Sequence, residues 1–246
     1  MTGHLRDYKV LTFDCYGTLI DWESGIWDGL QPVIMQNQRS DITRETGLAS
    51  FALHESAQEQ ATPNMLYPQL LEKVHAAIAA EFDMVTSPQA DAAFGQSVAH
   101  WPAFPDSADA LRYLKTRFRL VILSNVNRDG FAASNRKLGV EFDAIYTAQD
   151  VGSYKPSPAN FEYMLANLKR DFGFEPTDIL HTAQSLHHDH VPAKEFGLAN
   201  AWIDRQRLSE SGHWGATAPV EDRPDVDFLY FSMAEMAGAL RADEAS

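Results

Sequence analysis

Four groups of polar residues in this chain follow short apolar runs, and their types could support covalent chemistry. Asp14 closes the run Tyr8 to Phe13, Ser124-Asn125 closes Leu120 to Leu123, Lys155 comes after Ala144 to Thr147, and Gln184 through Asp189 comes after Asp178 to Thr182. An aspartate has a reference pKa of about 3.9, so Asp14 is ionised at neutral pH and needs no base to act as a nucleophile. Two like charges about 4 Å apart repel by roughly 4 kcal/mol at an effective dielectric of about 20, so an anionic substrate reaches Asp14 only with a cation nearby. Lys155 is the candidate cation. His187 and His188 adjoin Asp189, and a neutral imidazole with a pKa of about 6.5 is suited to taking a proton from water.

Each residue also has a plainer reading. Asp14 could cap a turn, Lys155 before Pro156 could be a solvated loop residue, and Asp189 could cap a helix that begins near His190. Cys15, the only cysteine, adjoins Asp14, but neighbours on a strand point to opposite faces and a lone cysteine commonly serves as a small apolar residue. His181, His187, His188 and His190 form a local cluster. No carboxylate or thiol set completes a zinc signature around it, so no metal is expected.

The elements that must position these residues follow from periodicity. The runs ending at Phe13, Leu123, Thr147 and Thr182, with Ala199 to Ile203, read as buried strands. Between them Ala108 to Thr116, Gly130 to Leu138, Ala159 to Leu168 and Asp189 to Phe196 have helical spacing. Strands alternating with helices predict an α/β fold, a Rossmann-like parallel sheet covered on both faces, with ligands beyond the carboxyl ends of the strands. Trp22 to Gly95 contains no good strand and carries helices over Ile42 to Gln60, capped by Ser40 or Asp41, and Met65 to Phe82. An all-helical insertion there predicts a cap over the site. The tail from Arg241 to Ser246 is expected to fray.

Composition narrows the function classes. A net charge of −14 with no basic patch opposes nucleic acid and anionic membrane as partners. The chain has no run of about eighteen apolar residues and no signal-peptide pattern at its N-terminus, which predicts a cytoplasmic protein, as does the unpaired Cys15. The expected partner is a small-molecule substrate, and a homodimer is left open.

The strings FDCYGTLID, VILSNVNRDGF, YKPSP and TAQSLHHDHVPAKEFGL resemble, in order, the four motifs of the haloacid dehalogenase (HAD) superfamily. The resemblance spans nearly the whole chain and implies a HAD-like core at residues 1–21 and 96–246 with a helical cap domain at 22–95. It implies that Lys155 neutralises the nucleophile and holds the substrate's negative group, with Ser124 and Asn125 as hydrogen-bond donors. Superfamily phosphatases use magnesium, bound partly by the nucleophile and a fourth-motif acid, and carry a second Asp two positions after the nucleophile. This chain has Tyr16 there, and Ala183-Gln184 in place of Gly-Asp, which removes an anionic ligand of the kind magnesium favours.

Asp14-x-Tyr16-Gly17-Thr18, with Ser124-Asn125 and Lys155-Pro156, resembles the L-2-haloacid dehalogenases. It implies that Asp14 attacks the halogen-bearing carbon of a small 2-haloalkanoate with inversion, and that water hydrolyses the resulting ester to the 2-hydroxyalkanoate. By this resemblance Asp189 activates the water, with His187 or His188 as the other candidates, and no cofactor is needed. Cys15, Tyr16, Thr18, Ser124 and Asn125 are the expected substrate-binding residues. Arg44, with Arg39 nearby, is the candidate for the family's halide-cradling cap arginine, and Tyr16, Trp22 and Trp27 are candidates to line the pocket. The chain departs from the dehalogenases at Gln184 and Leu186, where they carry Ser and Asn, and at Phe161, where they carry a tyrosine. The alternatives are a magnesium-dependent phosphatase using Asp14 and Asp189, a HAD-fold hydrolase of another small carboxylate, and a silent binding paralogue.

Overall fold

The segments VLTF and ILHTA are buried at every position, as strands covered on both faces must be. In the computed structural model, which describes residues 3–212 and 216–244, they are β1 (Val10–Phe13) and β4 (Ile179–Ala183). With β2 (Arg119–Ser124), β3 (Ala144–Thr147), β5 (Ala199–Ile203) and β6 (Phe228–Tyr230) they form a six-stranded sheet in the order β3-β2-β1-β4-β5-β6. Every pairing is parallel. The expected α/β class is therefore observed. β6 was not expected, because its three residues are an edge strand too short to show a period.

Four helices intervene between β1 and β2: α1 (Trp22–Gln36), α2 (Arg44–Ala61), α3 (Tyr67–Glu81) and α4 (Pro88–Gly95). The remaining helices are α5 (Ser107–Leu114), α6 (Arg128–Leu138), α7 (Ala148–Val151), α8 (Pro158–Phe172), α9 (Val191–Glu195) and α10 (Met233–Glu244). Strand alternation sorts the core into two layers. Leu11 and Phe13 join Leu111 and Leu114 of α5 and Met233, Met236 and Leu240 of α10 on one face. Val10, Val121 and Leu123 join Phe161, Met164 and Leu168 of α8 and Ala193 of α9 on the other. Ile26, Leu30, Phe51, Leu70 and Val74 from α1 to α3 belong to the same cluster as the first face, so the inserted helices are continuous with the sheet's core.

Two local expectations are corrected. Thr43, not Ser40 or Asp41, caps α2, because Thr43 Oγ accepts from the Thr46 amide at 3.2 Å while Thr46 Oγ accepts from the Thr43 amide at 3.0 Å. The tail does not fray at Arg241: α10 runs to Glu244, whose carboxylate pairs with Arg117 and accepts the Tyr113 hydroxyl at 2.8 Å. Ala245 and Ser246 lie outside the described residues. Among the described residues no helix is long and apolar enough to cross a membrane.

Gly25 marks where α1 meets the core. A Cβ there would overlap the ring of Trp101, which is buried and donates its indole N–H to Ser97 Oγ at 3.1 Å. Gly25→Ala gains about 1 kcal/mol of helix propensity but overpacks this contact by about 1–3 kcal/mol, so a net loss of stability is expected in urea denaturation. A stabilised variant would show that Trp101 yields freely.

Candidate active site

β1 lies at the centre of the sheet with β2 and β4 beside it, so residues just past their carboxyl ends converge. The Asp14 amide donates to Thr182 O at 3.1 Å, which extends the strand pairing by one residue and aims its carboxylate between the two neighbours. The chain then turns back: the Gly17 amide donates to Ile20 O at 2.8 Å with Gly17 at φ 96°, a conformation that favours glycine. A Cβ at Gly17 would also stand 2.9 Å from Gln184 Oε1. The turn brings the Thr18 hydroxyl to Asp14 Oδ2, to which it donates at 2.8 Å, and Thr18 Oγ accepts from the Gln184 amide at 2.9 Å.

Lys155 reaches the same point from the segment after α7. Its Nζ donates to Asp14 Oδ1 (2.9 Å), Asp189 Oδ1 (2.7 Å) and Leu123 O (3.0 Å), so all three N–H bonds are used. The side chain is 1 % exposed, which excludes the solvated-loop reading. Asp189 sits in one wide helical turn, Leu186–His190, after β4. Ser185 caps that turn by accepting from the His188 amide at 3.1 Å, which corrects the reading of Asp189 as a cap and leaves its carboxylate free for Lys155. His181 Nε2 lies 3.0 Å from Asp189 Oδ1 and its Nδ1 lies 2.8 Å from Thr12 Oγ, an arrangement satisfied when Nε2–H donates to the carboxylate. Asp189 Oδ2 is buried with no partner among the described residues.

The charges follow from this geometry. Burial pulls the Lys155 ammonium down, but Asp14 and Asp189 overcome it and push it up to about 12. Burial raises Asp14, and Lys155 only partly offsets it. Burial also acts to raise Asp189, yet the Lys155 charge and the His181 hydrogen bond hold its carboxyl well below the usual carboxylate range. Burial brings His188 down to about 4, so its ring is neutral at physiological pH.

These groups open onto a cavity of about 90 Å³, a size for a small molecule. Its floor comes from Asp14, Asn125, Lys155, Gln184, His188 and Asp189, and its roof from α2 and α3 through Glu55, Ser56, Glu59 and Tyr67. Tyr16, Trp22 and Trp101 form an aromatic wall. Tyr16 is held there by its hydroxyl, 2.8 Å from Ser134 Oγ, and by an edge contact with Trp101 at 5.3 Å between centroids.

Several expected residues are not on this cavity. Arg44 is exposed at the start of α2, where its guanidinium donates to Ser24 Oγ at 3.2 Å. It stands eight residues before Ala52, the first cavity residue of that helix, about 12 Å along the axis. Arg39 pairs with Asp41 at 2.8 Å on the surface. Cys15 points away from Asp14 into the apolar core, as strand alternation requires. Ser124 Oγ is buried without a partner among the described residues and does not line the cavity, while Thr18 touches Asp14 instead. Trp27 packs against the core and His187 faces an adjoining cleft beside Pro156 that shares Ser56, Glu59, Lys155 and His188 with the cavity. Phe161 is buried, stacked on Phe196 at 5.8 Å and edge-on to His181 at 5.2 Å.

Sequence reading missed Glu55, Glu59 and Tyr67. Ala52, Glu55, Ser56 and Glu59 are spaced as one helix stripe, but two acids on an amphipathic helix read as its solvated face. Tyr67 donates its hydroxyl to Glu55 Oε1 at 2.5 Å, and Asn125 Nδ2 donates to Glu59 Oε1 at 3.3 Å and to Lys155 O at 3.1 Å.

The donor set does not fit a divalent cation. The Lys155 ammonium occupies the position between Asp14 and Asp189, and the carboxamide of Gln184 is engaged, its Nε2 donating to Gln206 Oε1 (2.9 Å) and Thr217 Oγ (3.1 Å). Among the described residues no group of three acids, histidines or cysteines is placed to hold a metal.

A parallel α/β sheet with a nucleophile-like aspartate at the end of its central strand and a lysine against it defines a hydrolase class. Residues 8–182 match the family model described as haloacid dehalogenase-like hydrolase, and the chain belongs to that family. No curated protein sequence matches it. Its fold is similar to that of the defluorinating L-2-haloacid dehalogenase Rha0230, with a TM-score of 0.76, 18 % identity and coverage of 98 % of this chain and 100 % of that one. The L-2-haloacid dehalogenase from Xanthobacter autotrophicus is similar to the same degree, with a TM-score of 0.76, 18 % identity and coverage of 96 % and 99 %. The HAD-hydrolase YfnB from Bacillus subtilis, bound to magnesium, also matches, with a TM-score of 0.73, 17 % identity and coverage of 95 % and 99 %. Both metal-bound and dehalogenase relatives therefore share the backbone, and the side chains of the site must distinguish them.

Burial pushes the Glu55 carboxyl up from 4.5 to about 7, with the Tyr67 hydrogen bond only partly opposing it. The folded protein therefore keeps a proton that the unfolded chain loses at lower pH. The stabilisation is full below the unfolded value and is lost as pH rises through about 7. Urea denaturation across this range should show stability falling with pH, with Glu55→Gln reducing the slope by on the order of 1 kcal/mol per pH unit. An unchanged slope would place Glu55 in water.

Proposed function

We propose that the protein is a metal-independent hydrolase of the 2-haloacid dehalogenase type, acting on a small 2-halogenated compound through an ester on Asp14. The helices of residues 22–95 serve as its cap. An Asp14 oxygen forms a bond to the halogen-bearing carbon as the carbon–halogen bond breaks, and the halide leaves with the electron pair without needing a proton. Lys155 keeps the nucleophile desolvated and oriented, a task that in a phosphatase falls to a metal.

In the second step water adds to the Asp14 carbonyl carbon. Asp189 takes the proton, and the collapsing intermediate releases the alkoxide, which recovers that proton as the 2-hydroxy product. The observation that carries this assignment is Asp189, which lines the cavity and whose buried Oδ2 has no partner among the described residues while Oδ1 is anchored by Lys155 and His181. His188, neutral on the same wall with Nδ1 3.2 Å from Ser185 Oγ, orients the water. Tyr16 cannot donate a proton to a departing alcohol, since burial raises its hydroxyl well above the ordinary range, and this too favours a leaving group that needs none.

Asp14→Asn should abolish halide release from 2-chloropropionate and 2-chloropropionamide and give no adduct by intact-mass measurement. Asp189→Asn should still form the adduct while turnover falls by about 10²–10⁴-fold. Wild-type turnover in Asp189→Asn would remove that residue from water activation, and full activity in Asp14→Asn without reversion to aspartate would remove the ester.

A further inference from the structure

The side chains of the cavity have spent most of their donors and kept several acceptors. Lys155 uses its three N–H bonds on Asp14, Asp189 and Leu123 O. Thr18 gives its hydroxyl to Asp14, Tyr67 gives its hydroxyl to Glu55, and the two N–H bonds of the Asn125 carboxamide go to Glu59 and Lys155 O. The Gln184 carboxamide gives its N–H bonds to Gln206 and Thr217. Among the described residues lining the cavity, the Trp22 indole, the Ser56 hydroxyl and His188 Nε2 are the side-chain groups able to donate that have no partner, Nε2 donating when Nδ1 accepts from Ser185 Oγ, and none of the three is charged. The unused acceptors are the second oxygens of Glu55 and Glu59 and Asp189 Oδ2.

The charge balance has the same sign. Four carboxyl groups, Asp14, Asp189, Glu55 and Glu59, stand around one ammonium, Lys155, so ionisation of Glu55 and Glu59 leaves negative charge in excess, and among the described residues no other lysine or arginine lines the cavity. Arg44, the residue that would have supplied a second cation, is outside. A free carboxylate brought into this space would meet two further carboxyls with no counter-ion. Donor groups would meet acceptors that already lack partners.

We propose that Glu55 and Glu59 select the head group of the substrate, so that the pocket takes a small 2-substituted compound whose head donates hydrogen bonds, an ammonium or a carboxamide, in place of a free carboxylate. The inference rests on the ester chemistry above only for orientation, with the reacting carbon at Asp14 and the head at α2. Burial lifts both carboxyls in the empty pocket, Glu55 adds to the lift on Glu59, and a donor or cation at the head position would draw both back down and favour their ionised, accepting form.

Calorimetric titration of the wild-type protein at about pH 8, where the Glu55 carboxyl is ionised, with lactate, lactamide and 1-aminopropan-2-ol tests the head group directly. At least one donor-headed compound should bind about tenfold or more tightly than lactate, and which one does so separates carboxamide from ammonium. Glu55→Gln/Glu59→Gln, or Glu59→Gln alone if the pair does not fold, should tighten lactate binding and narrow that ratio. Lactate binding as tightly as both others, or no binding by any of the three in the millimolar range, overturns the proposal. Intact-mass assays with 2-chloropropionate and 2-chloropropionamide run beside it. Adducts with lactate preferred sink the head-group selection alone, whereas the expected binding order with no adduct sinks the ester and leaves the selection standing.

Discussion

One buried ammonium organises this protein. Lys155 is 1 % exposed and touches two carboxylates and a strand carbonyl, each within 3.0 Å. Taking that charge out of water costs several kcal/mol, and the cost is met only because all three protons find acceptors and both neighbouring carboxylates gain a counter-ion. The dependence is mutual. Without Lys155, Asp14 and Asp189 would be two like charges in a low-dielectric space, and one of them would have to take up a proton.

That triad constrains the topology around it. Asp14 follows the central strand, Asp189 the strand on one side, and Lys155 reaches in beneath Leu123 at the end of the strand on the other. A sheet that placed these three strands in any other order would separate the charges. His181 and Thr12 extend the network into the β1–β4 pair, where they stand opposite each other in register, so the orientation of Asp189 is set by the sheet itself. Lys155 and Asp189 are thus anchored to the sheet's own strands.

The family match stops at Thr182, two residues before Gln184. Gln184 turns its carboxamide to Gln206 and Thr217 and so fastens the later segment, whose Ala216, Thr217 and Ala218 close one side of the cavity. On the opposite side α2 contributes Glu55 and Glu59. Backbone similarity to dehalogenases therefore speaks for the fold and leaves open what these walls meet.

Strand segments ending in polar residues, four of them in the order of a known family, made the sheet, the nucleophile-like Asp14 and its lysine legible from residue order. Such features are local: buried strands must be apolar, and the groups they present must come just after them. Arg44 and Glu59 show where local information runs out. Both lie on α2 and both are charged, but their separation of about 22 Å along the helix axis and the seat of the helix on the core through Phe51 decide that Glu59 meets Asn125 while Arg44 stands at the exposed start of the helix. Ser124 and Cys15 lie off the cavity for a related reason, since being next to a cavity residue in the chain does not fix which way a side chain points. The placement of Asp14 at the end of a central strand is legible in a short segment. The polarity of the space above it is a property of elements far apart in the chain, and only their packing brings those carboxyls face to face with it.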